Sequence, residues 1–333
     1  MDNKLVVSQS PHIQTTENIQ KIMLSVIIAL VPATLFSFYL FGIKAFIVVA
    51  VAVSSAVLFE WLTAKYILKR PSTVWDLSAI VTGLLLALNV PSTLPIWMLL
   101  VGSFVAIVVV KLTFGGLGQN IFNPAIAARV FLLISFPVQM TSWPIPFQKS
   151  MSMFDAVTGA TSLGVMKEGL RNGEQMSQIM DKIPSQLEMF YGVMGGSIGE
   201  VSALLIILGG IYLMVRKIIT WHIPFSIVIT VALFSTLMWA INPNKYPDPL
   251  FELLTGGLML GAFFMATDYT TSPMSKSGQI VFAIAIGMLT LIIRYWGAYP
   301  EGISFAILIM NAFVPLINKN IKPKLFGTIK KKK

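Results

Sequence analysis

The stretch DAVTGATSLG, residues 155–164, contains the residue types in this chain most suited to taking part in chemistry. Its motif positions are Asp155, Thr158, Gly159, Ala160 and Thr161. A threonine hydroxyl is a poor nucleophile unless a base activates it, and this segment offers no base beyond its aspartate. The small residues around the last threonine instead favour a flexible, exposed hydroxyl that another protein modifies.

Composition excludes several other kinds of chemistry. The 333 residues include no Cys, which rules out disulfides, thiolate catalysis, zinc–thiolate sites and Cys-ligated iron–sulfur clusters. His12 lies in a polar N-terminal segment and His222 at the start of a predicted helix, which argues against a haem held by two His. The net charge of +10 does not indicate nucleic acid binding, because nearly all of it lies just outside apolar segments. No metal site is predicted.

The hydrophobic pattern predicts an all-α integral membrane protein. The chain is 56% hydrophobic and only 11% charged, whereas soluble domains contain about 25% charged residues. Runs near the ~20 apolar residues that span a bilayer recur and predict about ten transmembrane helices. These helices cover residues 22–41, 44–68, 77–90, 94–112, 123–137, 199–215, 221–240, 251–266, 279–296 and 301–318. The third and fifth are short and bounded by Pro91 and Pro124, so we expect broken or re-entrant helices there.

Two five-helix repeats are predicted, one on each side of a long polar loop. AIVTGLLLALNVPSTLP (79–95) resembles ELLTGGLMLGAFFMATDYTTSP (252–273). FNPAIAARVFLL (122–133) and MNAFVPLI (310–317) both place Asn before or within a Pro-containing run. Chance similarity between membrane sequences is the alternative explanation. The predicted parts are an N-terminal segment (1–20), a first transmembrane half (21–137), a loop (138–198), a second transmembrane half (199–318) and a basic tail (319–333).

The basic residues predict that both termini are cytoplasmic. An even number of spans puts both termini on one side, and most of the 24 Lys and Arg residues fall in segments on that side. The positive-inside rule therefore places the loop 138–198 on the outer face. The basic tail, 319–333, is expected to contact anionic lipid headgroups.

Longer segments match a known family. SPHIQTTENIQKIMLSVIIALVPAT (10–34), FGGLGQNIFNPAIAARVFL (114–132) and GGLMLGAFFMATDYTTSP (256–273) join the 155–164 stretch in resembling the RnfD/NqrB family. The resemblance covers essentially the whole chain and is stronger to the Rnf branch. NqrB-type subunits generally have a longer N-terminal extension and Ser-Gly-Ala-Thr in the loop. An NqrB-type subunit of a Na⁺-translocating NADH:quinone reductase is the alternative.

The resemblance implies a membrane subunit of a redox-driven ion pump in a bacterial or archaeal cell (inner) membrane. Rnf complexes pass electrons between ferredoxin and NAD⁺ and couple this transfer to Na⁺ or H⁺ movement. The implied partners are the membrane subunits A and E, the flavin-carrying G subunit, the iron–sulfur subunits B and C, membrane lipid, and a flavin transferase for maturation. A solute channel or transporter with the same repeat architecture is a hypothesis from a different class.

The resemblance also implies a covalent flavin. In this family the last threonine of the motif Asp-x-x-Thr-Gly-Ala-Thr forms a phosphoester with FMN, and the matching residue here is Thr161. Asp155, Thr158, Gly159 and Ala160 complete the flavinylation motif, and the small Gly159 and Ala160 would let the threonine enter a transferase pocket. A second, non-covalent flavin such as riboflavin is left open by the sequence.

Four polar residues outside the motif are further candidates. Asn120 and Asn123 flank the start of the fifth predicted helix, where they would either cap it or contact a second flavin. Arg129 fits a flavin contact and a structural ion pair, with an acid such as Glu60, equally well. Asp268 ends an apolar run and is either on the ion path or a turn residue of TTSP, the turn being favoured.

Overall fold

The computed structural model describes residues 18–71, 73–147, 158–200 and 202–322. Asp155 and most of the predicted basic tail therefore lie outside the described residues. Five described helices are long and apolar enough to cross a membrane, and four shorter ones are apolar. Almost all other described structure is helical or irregular, apart from one two-stranded sheet. The predicted all-α membrane fold is confirmed.

The first half contains five helical segments, close to the predicted spans. They are α1 (Ile19–Phe41), α2 (Ile43–Leu62, continued as a π-helix over Thr63–Ile67), α3 (Ser78–Leu88, preceded by a 3₁₀ turn over Val74–Asp76), α4 (Ile96–Phe104, continued as a π-helix over Val105–Leu112) and α5 (Pro124–Ser135). As the prolines predict, α3 and α5 are too short to span a bilayer alone. Pro124 occupies the first turn of α5, where its missing N–H costs nothing.

The loop between the halves is folded in its described part. It contains α6 (Pro137–Met140), β1 (Trp143–Pro144), β2 (Thr158–Gly159), α7 (Ser162–Arg171), α8 (Met176–Met180) and α9 (Gln186–Tyr191). The two strands pair antiparallel. Apolar side chains of α7, α8 and α9 form a small core of their own, which Phe251 of the second half joins. The described loop is therefore attached to the second transmembrane half by apolar packing.

The second half repeats the pattern with one interruption that differs from the prediction. Its elements are α10 (Ala203–Val215), α11 (His222–Ile241), α12 (Pro249–Leu254), α13 (Leu258–Leu260, continued as a π-helix over Gly261–Met265), α14 (Lys276–Trp296) and α15 (Ile303–Asn320). The predicted continuous helix over 251–266 is broken between α12 and α13. Gly256 and Gly257 both adopt positive φ there, at 71° and 63°, a conformation that ends a right-handed helix.

The two halves meet through helices that the proposed repeat would make equivalent. Helix α1 packs on α10, and α5 packs on α15. With its side-chain amide oriented to satisfy both groups, Asn311 accepts a hydrogen bond from the backbone N–H of Asn123 (3.1 Å) and donates to the carbonyl of Thr271 (3.1 Å). The two asparagines that the sequence comparison paired therefore contact each other in the core.

Candidate functional site

The described part of the 155–164 motif is held against β1. Trp143 lies opposite Gly159 in the two-stranded sheet, and Pro144 lies opposite Thr158. Two residues later the backbone of Thr161 is extended, with φ −64° and ψ 160°, and the chain then enters α7. A threonine in this position is a favoured helix cap because its side-chain oxygen satisfies a free N–H of the first turn.

Thr161 differs from the expected flexible, exposed residue. Its Oγ1 accepts a hydrogen bond from the backbone N–H of Gly164 at 3.0 Å. The residue is only 7% exposed, because it also packs at the wall of a cavity. The hydroxyl that the sequence singled out is therefore a buried N-cap at the start of a ten-residue helix.

The cavity beside Thr161 has a volume of about 170 Å³. Pockets that enclose a whole drug-sized ligand are typically about 300–1,000 Å³, so this one has room for part of a flavin, such as one end of its ring system. Trp143 and Tyr299 contribute aromatic walls. Arg129 and Glu301 contribute charged ones. The cavity thus combines flat apolar surfaces with a few polar groups next to the motif threonine.

Arg129 forms a structural ion pair, one of the two roles predicted for it, but with a different acid. Its guanidinium donates to Glu301 and to Ser304, and its Nε donates to the carbonyl of Asn89 at 3.1 Å. Glu60, the acid suggested by the sequence, instead accepts from Lys111 at 2.6 Å. The cause is distance in the fold. Glu60, in the last turn of α2, lies beside Lys111 in the π-helix that continues α4, whereas Arg129 faces the α14–α15 connection.

Glu301 completes the polar side of this cavity and was missed by the sequence analysis. One of its carboxylate oxygens pairs with Arg129, while the other, Oε1, is buried and makes no hydrogen bond within the described ranges. A buried acceptor normally has a donor, so a free one in a cavity fits a ligand N–H or O–H. Its position after the Gly-Ala-Tyr-Pro turn gave only a weak signal, that of a carboxylate beside an apolar span.

Lys167 ties α7 to the same connection. Its Nζ donates to the carbonyls of Gly297 (2.6 Å) and Tyr299 (2.9 Å). Partial burial lowers the pKa of Lys167, and the nearby Arg171 charge lowers it further. This lysine fixes α7 against the α14–α15 connection, which carries Tyr299 and Glu301. It therefore holds two walls of the cavity together.

Asn120 and Asn123 lie in a different and smaller cavity, of about 90 Å³. Asn123 caps α5 by accepting from the N–H groups of Ala125 (3.1 Å) and Ile126 (3.3 Å), which is the capping role, one of the two alternatives left open for it. Asn120 donates to the carbonyl of Phe122 at 3.1 Å, and its Oδ1 is buried without a hydrogen-bond partner in the part of the chain described. The structure therefore places these asparagines in a different cavity from Arg129.

Asp268 borders this second cavity from the turn after α13. Its Oδ2 accepts from the hydroxyls of Thr270 (3.0 Å) and Thr271 (3.1 Å). These contacts are those of the favoured turn interpretation. The same carboxylate also faces the cavity that Lys111 reaches, so its place on an ion path stays a prediction.

A third buried ion pair lies at the break between α12 and α13. Arg294 Nη1 donates to Glu252 Oε2 at 2.6 Å, and its Nη2 donates to the carbonyl of Thr255 at 2.7 Å. The positive-inside prediction counts Lys111 on the inner side and Arg294 on the outer side, yet both residues are buried and paired. Leaving out one residue from each side does not change the direction of the predicted charge bias.

Comparison with known proteins agrees with the resemblance carried by the motifs. A sequence model of the NQR2, RnfD, RnfE family matches residues 6–327. The D subunit of the Na(+)-translocating ferredoxin:NAD(+) oxidoreductase complex of Acetobacterium woodii is 46% identical over 331 residues, covering 99% of this chain and 97% of that protein.

Two further relatives have similar coverage. The D subunit of the proton-translocating ferredoxin:NAD(+) oxidoreductase complex of Clostridium ljungdahlii is 44% identical over 98% of this chain and 97% of its own. The D subunit of the ion-translocating oxidoreductase complex of Stutzerimonas stutzeri is 42% identical over 93% of this chain and 92% of its own. With matches of this extent, the chain belongs to the NQR2, RnfD, RnfE family.

Proposed function

We propose that this chain is the D subunit of an ion-translocating ferredoxin:NAD⁺ oxidoreductase and that it carries FMN on Thr161. The names and full-length coverage of the relatives support the first part. The observation that carries the second part is the position of Thr161, which caps a helix N-terminus and lines a cavity with aromatic and charged walls. A solute channel has no use for this arrangement.

The residues around Thr161 suit a flavin phosphoester. The N-terminus of α7 presents backbone N–H groups and a positive dipole end, which stabilise a phosphate attached at the cap position. Trp143 and Tyr299 offer flat surfaces for the part of an aromatic ring system that the cavity admits, and Glu301 Oε1 offers an acceptor without a partner among the described residues. Bound FMN supplies redox chemistry that the side chains of this Cys-free chain do not.

Burial of the hydroxyl sets a condition on flavin attachment. A transferase cannot reach Oγ1 while Thr161 caps α7 and packs against the cavity wall. We infer that the transferase acts before α7 has packed, or on a state in which the segment is displaced. The small neighbours Gly159 and Ala160 would then let the extended segment enter a transferase site.

The partners are those implied for the family: the membrane subunits A and E, the flavin-carrying G subunit, the iron–sulfur subunits B and C, membrane lipid and a flavin transferase. Sequence similarity does not identify the coupling ion, since one relative is named as Na⁺-translocating and another as proton-translocating at nearly equal sequence identity.

A second, non-covalent flavin such as riboflavin stays a prediction for the cavity at Asn120 and Asn123. The Oδ1 of Asn120, which has no partner in the described chain, supports it. The cavity would have to widen to admit a flavin ring, because its present volume is only about 90 Å³.

The first prediction tests the attachment residue. In cells that express a flavin transferase, the intact mass of the subunit should exceed that of the polypeptide by FMN less one water. Thr161→Ala should remove this increment and the in-gel flavin fluorescence, because no phosphoester can form. Thr158→Ala, in β2, is the matched control and should keep both. Retention of the increment in Thr161→Ala would show that another residue carries the flavin.

The second prediction tests the proposed orientation in the membrane. Because the native chain has no Cys, single cysteines can be placed at two exposed positions, Asn172 after α7 and Asn320 at the end of α15. An impermeant thiol reagent added to intact cells should label Asn172→Cys and leave Asn320→Cys unlabelled until the membrane is opened. The opposite labelling pattern would place the flavin loop in the cytoplasm.

A further inference from the structure

Glu200 is a buried carboxyl outside the ion pairs described above. It precedes α10, and the backbone N–H of Ser197 donates to its Oε2 at 2.8 Å. Its Oε1 is buried and has no hydrogen-bond partner in the described chain. The other buried glutamates, at 60, 252 and 301, each contact a Lys or Arg directly. Glu200 is therefore the exception among the buried glutamates of the described ranges.

The carboxyl lies deep between the two halves of the protein. The backbone N–H groups of Ile198 and Gly199, just before it, donate to the carbonyls of Val90 (3.2 Å) and Leu88 (2.6 Å) at the end of short helix α3. On its other side Oε1 faces the break before α13, since a Cβ built on Gly257 would lie 3.4 Å from it. Glu200 thus sits where two interrupted helices meet.

The same break connects Glu200 to the motif loop. A Cβ built on Gly256 would lie 2.5 Å from Leu163 Cδ1 and 2.5 Å from Arg294 Nη2. Leu163 is two residues from Thr161 and belongs to the same helix turn. The backbone of Gly256 and Gly257 therefore lies between the Glu200 carboxyl and α7, the helix that Thr161 caps.

The charges that act on Glu200 are those of Arg129 on α5 and Arg294 on α14. Each of these arginines is already paired, with Glu301 and Glu252 respectively. An ionised Glu200 would be a third buried negative charge facing two positive ones. Burying a carboxylate without a contacting cation costs several kcal/mol, and proteins avoid that cost by leaving the group neutral.

We propose that Glu200 is a proton-binding site, neutral in the resting protein, that holds its proton more tightly as negative charge enters the Thr161 cavity. No electron is transferred at Glu200 itself. This link rests on the proposed function, which supplies the electrons that change the charge. The resting protonation depends only on the burial described above.

A metal ion fits this position less well than a proton. Na⁺ and other hard cations need several oxygen ligands, whereas Oε1 faces a glycine backbone. Within the residues that the structure describes, no group of three or more His, Cys, Asp or Glu could hold a metal ion.

The test compares Glu200→Gln with Glu252→Gln in the purified complete complex. Gln has nearly the shape of a neutral carboxylic acid and keeps an oxygen for the Ser197 N–H. Glu200→Gln should therefore leave the thermal unfolding midpoint unchanged, whereas Glu252→Gln removes the charge that Arg294 needs and should lower it. In the infrared spectrum, the carbonyl band of a protonated carboxyl that shifts in D₂O should vanish in Glu200→Gln. As the pH is raised, the same band should persist to a higher pH in the complex reduced by NADH than in the oxidised complex.

Several outcomes would overturn the proposal. A carboxyl band unaltered in Glu200→Gln, or a fall in midpoint as large as that of Glu252→Gln, would show an ionised structural carboxylate. A band that is lost in the variant but disappears at the same pH in the oxidised and the reduced parent would remove the link to the Thr161 cavity and keep only the resting proton. In-gel fluorescence of the parent reports separately whether flavin is attached. A parent without flavin would defeat the proposed function and leave the resting-band test intact.

Discussion

Thr161→Ala is expected to abolish electron transfer between ferredoxin and NAD⁺ while leaving the complex assembled. The variant has no hydroxyl for the phosphoester, so the loop would lack its flavin. In the proposed orientation the loop is on the outer face, so electrons from cytoplasmic donors must cross the membrane and return, and a missing carrier leaves a gap in that path. We expect activity to fall to background rather than by a modest factor.

The alanine also removes a helix cap, which costs about 1 kcal/mol, so stability must be separated from chemistry. Thr161→Asn is the matched control, because asparagine caps α7 as well as threonine does and offers no hydroxyl. Both variants should lose NAD⁺ reduction by reduced ferredoxin in membrane vesicles, and only the alanine variant should unfold earlier. Native gels report assembly. Wild-type electron transfer in a flavin-free Thr161→Asn complex would mean that this flavin is not an obligatory carrier.

The positions of the helices followed from local properties of the sequence. Long apolar runs predicted the spans, and Pro91 and Pro124 predicted that α3 and α5 would be short. The break before α13 was missed although its residues were visible. Hydropathy averages over an apolar run and does not register that Gly256 and Gly257 together permit a change of backbone direction. A pair of glycines inside a predicted span is therefore a signal for a broken helix.

The partners of the buried charges could not be predicted, because pairing depends on which helix ends meet. The sequence suggested Glu60 as one acid that could pair with Arg129, whereas in the fold Arg129 pairs with Glu301. The burial of Thr161 was missed for a related reason. The Gly-Ala flank suggested flexibility, whereas β1 lies distant in sequence and its pairing with β2 orders the motif. Local composition shows which conformations a segment can adopt, whereas tertiary contacts determine which of them it adopts in the folded protein.

The buried pairs also support the proposed repeat in a way that the sequence comparison did not reveal. Lys111 ends the fourth helical segment of the first half and contacts Ser78, the first residue of the third, at 2.7 Å. Arg294, near the end of the fourth helix of the second half, contacts Glu252 and Thr255 in its interrupted third helix. A cation from the fourth helix therefore meets the short helix in each half.

Arg294→Met should be the most destabilising single substitution among those considered for the buried pairs. Methionine fills much of the same volume but leaves the Glu252 carboxylate buried without its cation and leaves the Thr255 carbonyl without its donor. Removing one partner of a buried pair typically costs about 3–5 kcal/mol. Both side chains here are completely buried, so solvent cannot replace the lost contacts. Unfolding of the purified subunit in mixed micelles, followed by helix content, measures the change.

Two controls separate burial from charge in this experiment. Lys182 and Glu174 form an ion pair of similar length, 2.8 Å, but their side chains are 55% and 30% exposed. Lys182→Met should therefore cost less than about 1 kcal/mol. The double variant Arg294→Met/Glu252→Leu removes both charges and should recover most of the lost stability, because an apolar pair of similar size avoids the desolvation cost. Should Arg294→Met lose no more stability than Lys182→Met, the ion pair at the helix break would not exist as described.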